Sequence, residues 1–219
     1  MSKKSAARIG MVNFINTAPI YETWKSTVKQ LDWQVVEANP VQLNKMLASG
    51  ELDLGFISSQ EYAASPEKYR ILPDLSISAN GPVGSVYLFS EFELSDLNNQ
   101  EVFLSPQSQT SNSLVKIILE KFIGVKPRYK ISKSISASED SEKAVVAIGD
   151  RALRIKASGR YSQVLDLSEM WKEHTGLPFV FAVWAVRDSF FKNHHECVKS
   201  VHQELLRCAT EGEKNLMSI

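Results

Sequence analysis

Cysteine is almost absent from this chain: Cys197 and Cys208 are the only two in 219 residues. Both fall in one predicted C-terminal helix, about three turns apart at ~1.5 Å rise per residue, so they cannot bond each other. That excludes a disulfide framework and points to a reducing compartment. Neither thiol has the His or Asp company of a nucleophile, and both read as small hydrophobes on a helix. Net charge is absent too, with 25 basic and 25 acidic side chains dispersed along the sequence. A nucleic-acid footprint or a polybasic membrane surface needs clustered cations, so neither partner is expected. No window approaches the ~20 consecutive apolar residues of a membrane span. The basic start, Met1 to Arg8, leads into Ile9-Gly-Met-Val-Asn-Phe14, too short and polar for a signal-peptide core, so a soluble cytoplasmic protein is expected. The four histidines, His174, His194, His195 and His202, sit in the later helices, and no His/Cys/Asp/Glu cluster has metal-ligand spacing. A Gly-Lys-Ser phosphate loop and a dinucleotide glycine fingerprint are also missing. No metal and no cofactor are expected, and the oligomeric state is not legible.

What is present is an ordinary globular composition, 43% hydrophobic, enough for two small lobes with real cores. Two apolar runs that start at Gly and Pro, Gly81 to Ser90 and Leu177 to Arg187, flank a middle segment with its own helix and strands. They read as two strands crossing between two α/β lobes, residues 1–88 plus 186–219 and residues 89–185, with a ligand cleft between them. In the first lobe the pattern predicts strands over 8–12, 34–37 and 53–57 and helices over 19–31, 41–48 and 60–64. After a strand over 83–89, the second predicts strands over 101–104, 128–131, 144–148 and 163–166. Its helices fall over 110–123, 151–157 and 168–174. A strand from about 179 leads back, and from Asp188 the pattern is helical, packing on the first lobe. This alternation is βαβ logic with a mainly parallel sheet. Ser132 to Ser141, serine-rich and polar, reads as a surface loop, and the four tryptophans read as core.

Three strand ends run through small polar residues into a helix: Asn13-Phe-Ile-Asn16-Thr17, Ser58-Ser59, and Ser105-Pro-Gln-Ser108-Gln-Thr110-Ser111. Helix N-termini carry unpaired N–H groups and about half a positive charge, which suits carboxylate or phosphate. Thr17, Ser59 and Thr110 can each serve instead as a plain cap; three such ends in one two-lobed pattern favour a site. Gly81-Pro-Val-Gly84-Ser85-Val86 lets a ligand approach the backbone and offers a hydroxyl, or else is a hinge turn before a core strand. Ala147-Ile-Gly149-Asp150-Arg151 is a further junction, at which Asp150 reads as an N-cap rather than a catalytic acid.

Taken together, Phe14-Ile-Asn16-Thr17-Ala-Pro19, Ser49-Gly-Glu-Leu-Asp-Leu-Gly-Phe-Ile-Ser58-Ser59-Gln-Glu-Tyr62, Leu72-Pro-Asp-Leu-Ser-Ile-Ser78, Gly81 to Val86, Ile148-Gly-Asp150 and Thr175 to Trp184 closely resemble the chorismate dehydratases of the futalosine route to menaquinone. The resemblance implies a type II periplasmic-binding-protein (Venus flytrap) fold used in the cytoplasm as a hydro-lyase. Chorismate would lose water to give 3-[(1-carboxyvinyl)oxy]benzoate, without metal or cofactor. It also places Asn16 beside the substrate's ring hydroxyl, Ser85 as a further polar contact, and Ser58, Ser59, Thr110 and Ser111 in carboxylate-binding loops. Asn16 and Ser85 are thus the expected catalytic pair. Thr17, Ser58, Ser59, Gly84, Val86, Ser108, Thr110, Ser111, Gly149 and Asp150 make up the expected binding set. The sister 1,4-dihydroxy-6-naphthoate synthases carry a catalytic His where Gly149 stands here, which favours the dehydratase. A non-catalytic small-anion-binding protein is the other alternative; a regulator's effector domain would need a helix-turn-helix ahead of Arg8. Family members usually continue beyond the position of Ile219 through further C-terminal helices, so the expectation is either a shortened gene product or a first lobe that lacks part of its cover.

Overall fold

The computed structural model describes residues 6–12, 17–29, 32–133 and 142–215. The chain divides into two compact units, residues 1–76 with 182–219 and residues 77–181. The division falls inside two long strands, Tyr69–Ala79 and Phe179–Arg187, rather than at the expected 88/89 and 185/186. The run at 83–89 is not a crossover: its strand, Val86–Ser90, is bonded on both sides within the second unit's sheet.

In the first unit, strands β1 (Ala7–Met11), β2 (Trp33–Glu37), β3 (Leu54–Ser58), β4 (Tyr69–Ala79) and β10 (Phe179–Arg187) form one sheet in the order β2-β1-β3-β10-β4. β1 runs parallel to β2 and β3, whereas β10 runs antiparallel to β3 with Trp184 opposite Phe56. The sheet is therefore mixed, because the returning strand enters against the direction of the βαβ pair. Sequence periodicity misses β4. Its buried residues, Tyr69, Leu72 and Leu75, recur every third position, and it holds Pro73 and a left-handed Asp74 (φ 63°). Proline is tolerated there because β4 is an edge strand, where an unpaired N–H is not needed.

Helix α2 (Pro40–Ser49) shows why local signals succeed. Asn39 caps it in a reciprocal box with Gln42, Pro40 takes the first turn, and Gly50 ends it at φ 84°. Its Leu43 and Leu47 are buried, and Leu43 lies so close to β1 that a Cβ on Gly10 would come within 2.9 Å of Leu43 Cδ2. Helix α1 (Ala18–Thr27) stops before the expected end at 31: Val28 is already extended, and Ser26 and Thr27 turn their hydroxyls back onto the carbonyls of Glu22 and Thr23. Residues 30 and 31 lie outside the described part. Helix α3 (Ser59–Ala64) follows β3 directly. After β10 come α7 (Asp188–Asn193) and α8 (His195–Lys214), and α8 packs on α1 as expected, Gly212 lying against the Pro19 carbonyl. Both cysteines are free and on α8, Cys208 buried and Cys197 half-buried.

The second unit's sheet has the order β7-β6-β8-β5-β9, from β5 (Val86–Ser90), β6 (Glu101–Leu104), β7 (Arg128–Ile131), β8 (Ala144–Ile148) and β9 (Gln163–Asp166). β6 is parallel to β7 and β8; β5 sits between β8 and β9 and is antiparallel to both. Every β5 residue is buried, Val86 and Leu88 towards one apolar cluster, Tyr87 and Phe89 towards another, as expected of a strand covered on both faces. Helix α4 (Gln109–Ile117) widens into a π-helical turn over Ile118–Ile123, which ends at Gly124. Helices α5 (Gly149–Ser158) and α6 (Leu167–Thr175) complete the unit. Of the expected surface loop, 134–141 lies outside the described residues, and Ser132 is buried, hydrogen-bonded to Arg151. Among the described residues no helix is long and apolar enough to cross a membrane.

Candidate functional site

In the first unit the candidate residues stand at the ends of β1 and β3. Asn16 lies outside the described residues. The Thr17 hydroxyl donates to the Val12 carbonyl at 2.6 Å and makes no side-chain cap on α1. Tyr21, one turn into α1, donates to Glu37 at the end of β2. Burial and that bond push its phenol up to about 12, so it stays protonated at neutral pH and fastens α1 to β2.

Ser58 is the N-cap of α3, its oxygen accepting from the Glu61 amide at 3.1 Å. The buried Asn44 of α2 grips it twice: Ser58 N–H donates to Asn44 Oδ1 at 3.1 Å, and Asn44 Nδ2 donates to Ser58 Oγ at 2.9 Å. The backbone N–H can only donate, so the orientation of the Asn44 amide is fixed. Both lone pairs of the Ser58 hydroxyl are then taken, and its remaining capacity is to donate. Ser59 follows, half-buried.

In the second unit the 105–111 junction is cross-braced. Asn112 accepts from Ser105 N–H at 2.9 Å and donates to its carbonyl at 2.8 Å, while Ser105 Oγ accepts from the Gln107 amide. Ser108 caps α4 through the Ser111 amide at 3.2 Å and donates to Ser111 Oγ at 2.8 Å. Thr110 and Ser111 are buried in the first turn.

The other second-unit candidates come together through the pairing of β5 with β8. Val86 lies opposite Ile148, and the Gly149 amide donates to the Ser85 carbonyl at 2.8 Å. Gly84 and Gly149 both take positive φ, 76° and 56°, conformations costly for other residues. On the far side of the turn, Asp166 at the end of β9 accepts from the Gly84 amide at 2.7 Å. Its other oxygen caps α6 through the Ser168 and Glu169 amides at 2.9 and 3.2 Å. The Ser85 hydroxyl itself has no hydrogen-bond partner among the described residues and is half-buried. Asp150 is not an N-cap, contrary to the expectation: Ile148 holds that position without a side-chain cap, and Asp150 is exposed inside the first turn of α5, where a carboxylate complements the helix dipole.

Sequence reasoning missed Asn44, Asn112 and Asp166. Asp166-Leu-Ser168-Glu169 carries a cap signature that could have been read. Nothing local announces the bonds to Ser58 or Gly84. Among the described residues no group of three or more His, Cys, Asp or Glu side chains could hold a metal ion.

The chain matches a family model described as menaquinone biosynthesis over residues 7–219. It is 34% identical to a chorismate dehydratase of Thermus thermophilus over 96% of this chain and 79% of that protein. A Campylobacter jejuni chorismate dehydratase is 32% identical over 79% of this chain and 64% of that relative's length. The fold also matches the periplasmic aliphatic sulphonate binding protein of Escherichia coli, with a TM-score of 0.65 at 15% identity, covering 99% of this chain and 76% of that one. The architecture is thus that of periplasmic binding proteins, and by model match and by identity over nearly its whole length the chain belongs to the menaquinone-biosynthesis family that includes the chorismate dehydratases.

Proposed function

We propose that this protein is a chorismate dehydratase acting in menaquinone biosynthesis, converting chorismate to 3-[(1-carboxyvinyl)oxy]benzoate. The observation that carries the reading is the 34% identity to a chorismate dehydratase across 96% of the chain. The local geometry supports it: the matched strand ends offer hydroxyls and backbone amides, the donors a dicarboxylate requires. The N-terminus of α4 and the Gly149 turn at the start of α5 lie in the second unit, the hydroxyls of Ser58 and Ser59 in the first. In this reading they bind the two carboxylates, with Thr17, Ser108, Thr110 and Ser111 shaping the junctions and Gly84, Val86, Gly149 and Asp150 lining the ring.

The reaction breaks the C–O bond to the ring hydroxyl and the C–H bond of the neighbouring ring carbon. The C–H pair becomes part of the aromatic ring, the C–O pair leaves with the hydroxyl, and the proton joins it as water. Aromatisation supplies the driving force, so the protein's task is alignment. Asn16 and Ser85 orient the departing hydroxyl, and the substrate's own enolpyruvyl carboxylate takes the ring proton and passes it to that hydroxyl as it leaves. The reaction takes place in the cytoplasm, where two unpaired thiols stay reduced.

Incubation of the protein with chorismate should give an aromatic product detectable by its ultraviolet absorbance. Asn16→Ala should cut turnover by roughly two orders of magnitude, the scale of a lost orienting group. Chorismate bound but recovered unchanged would overturn the enzymatic reading; a near-normal rate in N16A would overturn the role given to Asn16.

A further inference from the structure

We infer that Asp166 is a positioning residue that sets the direction of Ser85, and so a determinant of turnover rather than of the fold alone. The proposal rests on the reading above, in which Ser85 touches the departing hydroxyl. Asp166 is a carboxylate with 4% of its surface exposed. Burying a charge is costly unless donors surround it, and here three backbone amides do so. Two of them, Ser168 and Glu169, belong to the first turn of α6, where an aspartate cap is commonplace. The third does not fit a capping role: Gly84 N–H, 82 positions earlier in the chain, donates to Oδ2 at 2.7 Å, a short charge-assisted bond.

That bond matters because of where it ends. Gly84 stands at φ 76°, with nothing within 4 Å of a Cβ placed on it, so packing anchors this turn at Val83, which rests on the second unit's apolar cluster, but not at Gly84 itself. Among the described residues two hydrogen bonds flank Ser85 between the packed Val83 and Val86: the Gly84 amide to Asp166 on one side, and the Ser85 carbonyl to the Gly149 amide at 2.8 Å on the other. The second comes with the β5–β8 pairing. The first comes from one side chain. If it is released, the peptide between Gly84 and Ser85 can reorient at the unpacked glycine and carry the Ser85 hydroxyl away from its aim, while the sheet and α6 stay intact.

The test separates these two jobs of one carboxylate. In Asp166→Ser the shorter side chain still caps α6, since serine and aspartate are equivalent caps, but it cannot also reach Gly84. Asp166→Asn is the isosteric companion: its NH2 group must face either Gly84 or the α6 amides, so one set of donors loses its acceptor. With ten glycines in the chain, a ¹⁵N-glycine-labelled sample gives a spectrum in which Gly84 can be assigned by its loss in Gly84→Ala. In D166S the Gly84 amide proton should move upfield and exchange with solvent faster. Turnover of chorismate should fall by roughly 10- to 100-fold in kcat, the scale of a misplaced group, with KM changed less than about threefold. The double variant D166S/S85A should be no slower than S85A, since the first residue acts through the second.

A Gly84 resonance that does not move, a D166S rate equal to that of the unaltered protein, or losses that multiply in the double variant would each overturn the inference. Failure of the unaltered protein to turn over chorismate would instead overturn the functional reading. The Gly84 resonance would then still decide whether Asp166 holds the turn.

Discussion

Asp53 offers the sharpest stability test in the first unit. It is buried at the start of β3, and four N–H groups converge on its carboxylate. Arg8 supplies three: its backbone amide at 2.9 Å, Nε at 3.0 Å and Nη2 at 2.7 Å. Arg187 of β10 supplies Nη2 at 2.8 Å and anchors its Nε on the Leu52 carbonyl. The cluster ties β1, β3 and the returning β10 at one end of the sheet. Asp53→Asn keeps size and shape, but its NH2 group must face two of these donors whichever way it turns. Hydrogen bonds to charged groups contribute ~1.5–3 kcal/mol each, and water reaches both guanidiniums, so the lower end applies and the loss is about 3 kcal/mol. For a chain of this length that corresponds to a fall in Tm of roughly 6–12 °C.

The pH dependence follows from the same geometry. Burial pushes the Asp53 carboxyl up, but the hydrogen bonds from Arg8 and Arg187 and the charge of Arg8 outweigh it and hold the group below the ordinary aspartate range. A carboxyl depressed in the folded state contributes stability that is complete above its unfolded value, about 3.9, and is lost as pH falls through the folded value. The gap between D53N and the unaltered protein should therefore hold constant from neutral pH to about 5 and close below about 4. Urea unfolding followed by tryptophan fluorescence reads this directly, because Trp24, Trp33 and Trp184 belong to the first unit and only Trp171 to the second. A gap under about 1 kcal/mol at pH 7, or one that persists unchanged into acid, would refute the assignment.

Other substitutions probe separate links. Gly212→Ala places a Cβ 2.1 Å from the Pro19 carbonyl oxygen, so α8 must lift off α1, and thermal melting should show a loss of about 3 kcal/mol. Asn44→Leu leaves the Ser58 amide without its acceptor inside the first unit, and urea unfolding should show a cost of about 1–3 kcal/mol, with KM for chorismate rising. Asn112→Ala frees both backbone groups of Ser105, and steady-state kinetics should show KM rising more than kcat falls, because the 105–111 junction loosens while Ser85 stays in place.

The alternation of elements was legible because its causes are local. The helix expected over 41–48 is α2, one residue longer at each end, and the apolar run expected over 83–89 holds β5, because the Asn39 cap, the Gly50 stop and an unbroken apolar run all act over a few residues. The errors have equally definite causes. α1 ends at Thr27 because Ser26 and Thr27 compete for backbone carbonyls, a weak local effect that apolar spacing does not report. β4 was invisible because an edge strand with Pro73 and a left-handed Asp74 follows neither a twofold nor a helical period. The unit boundary was misplaced because the pattern of Gly81–Ser90 says that it is a buried strand, not which sheet buries it.

By itself, then, the sequence determined the α/β class, most elements and the family motifs with their candidate residues. All of these rest on spacing or chemistry within short stretches. Only the tertiary structure decided that β5 inserts antiparallel between β8 and β9, bringing Ser85 to Gly149. It alone revealed that Asn44 grips Ser58 and that Asp166 holds Gly84. Those contacts join residues far apart in the chain, and their existence depends on strand order and register, which the packing of whole sheets selects and no short window of residues encodes.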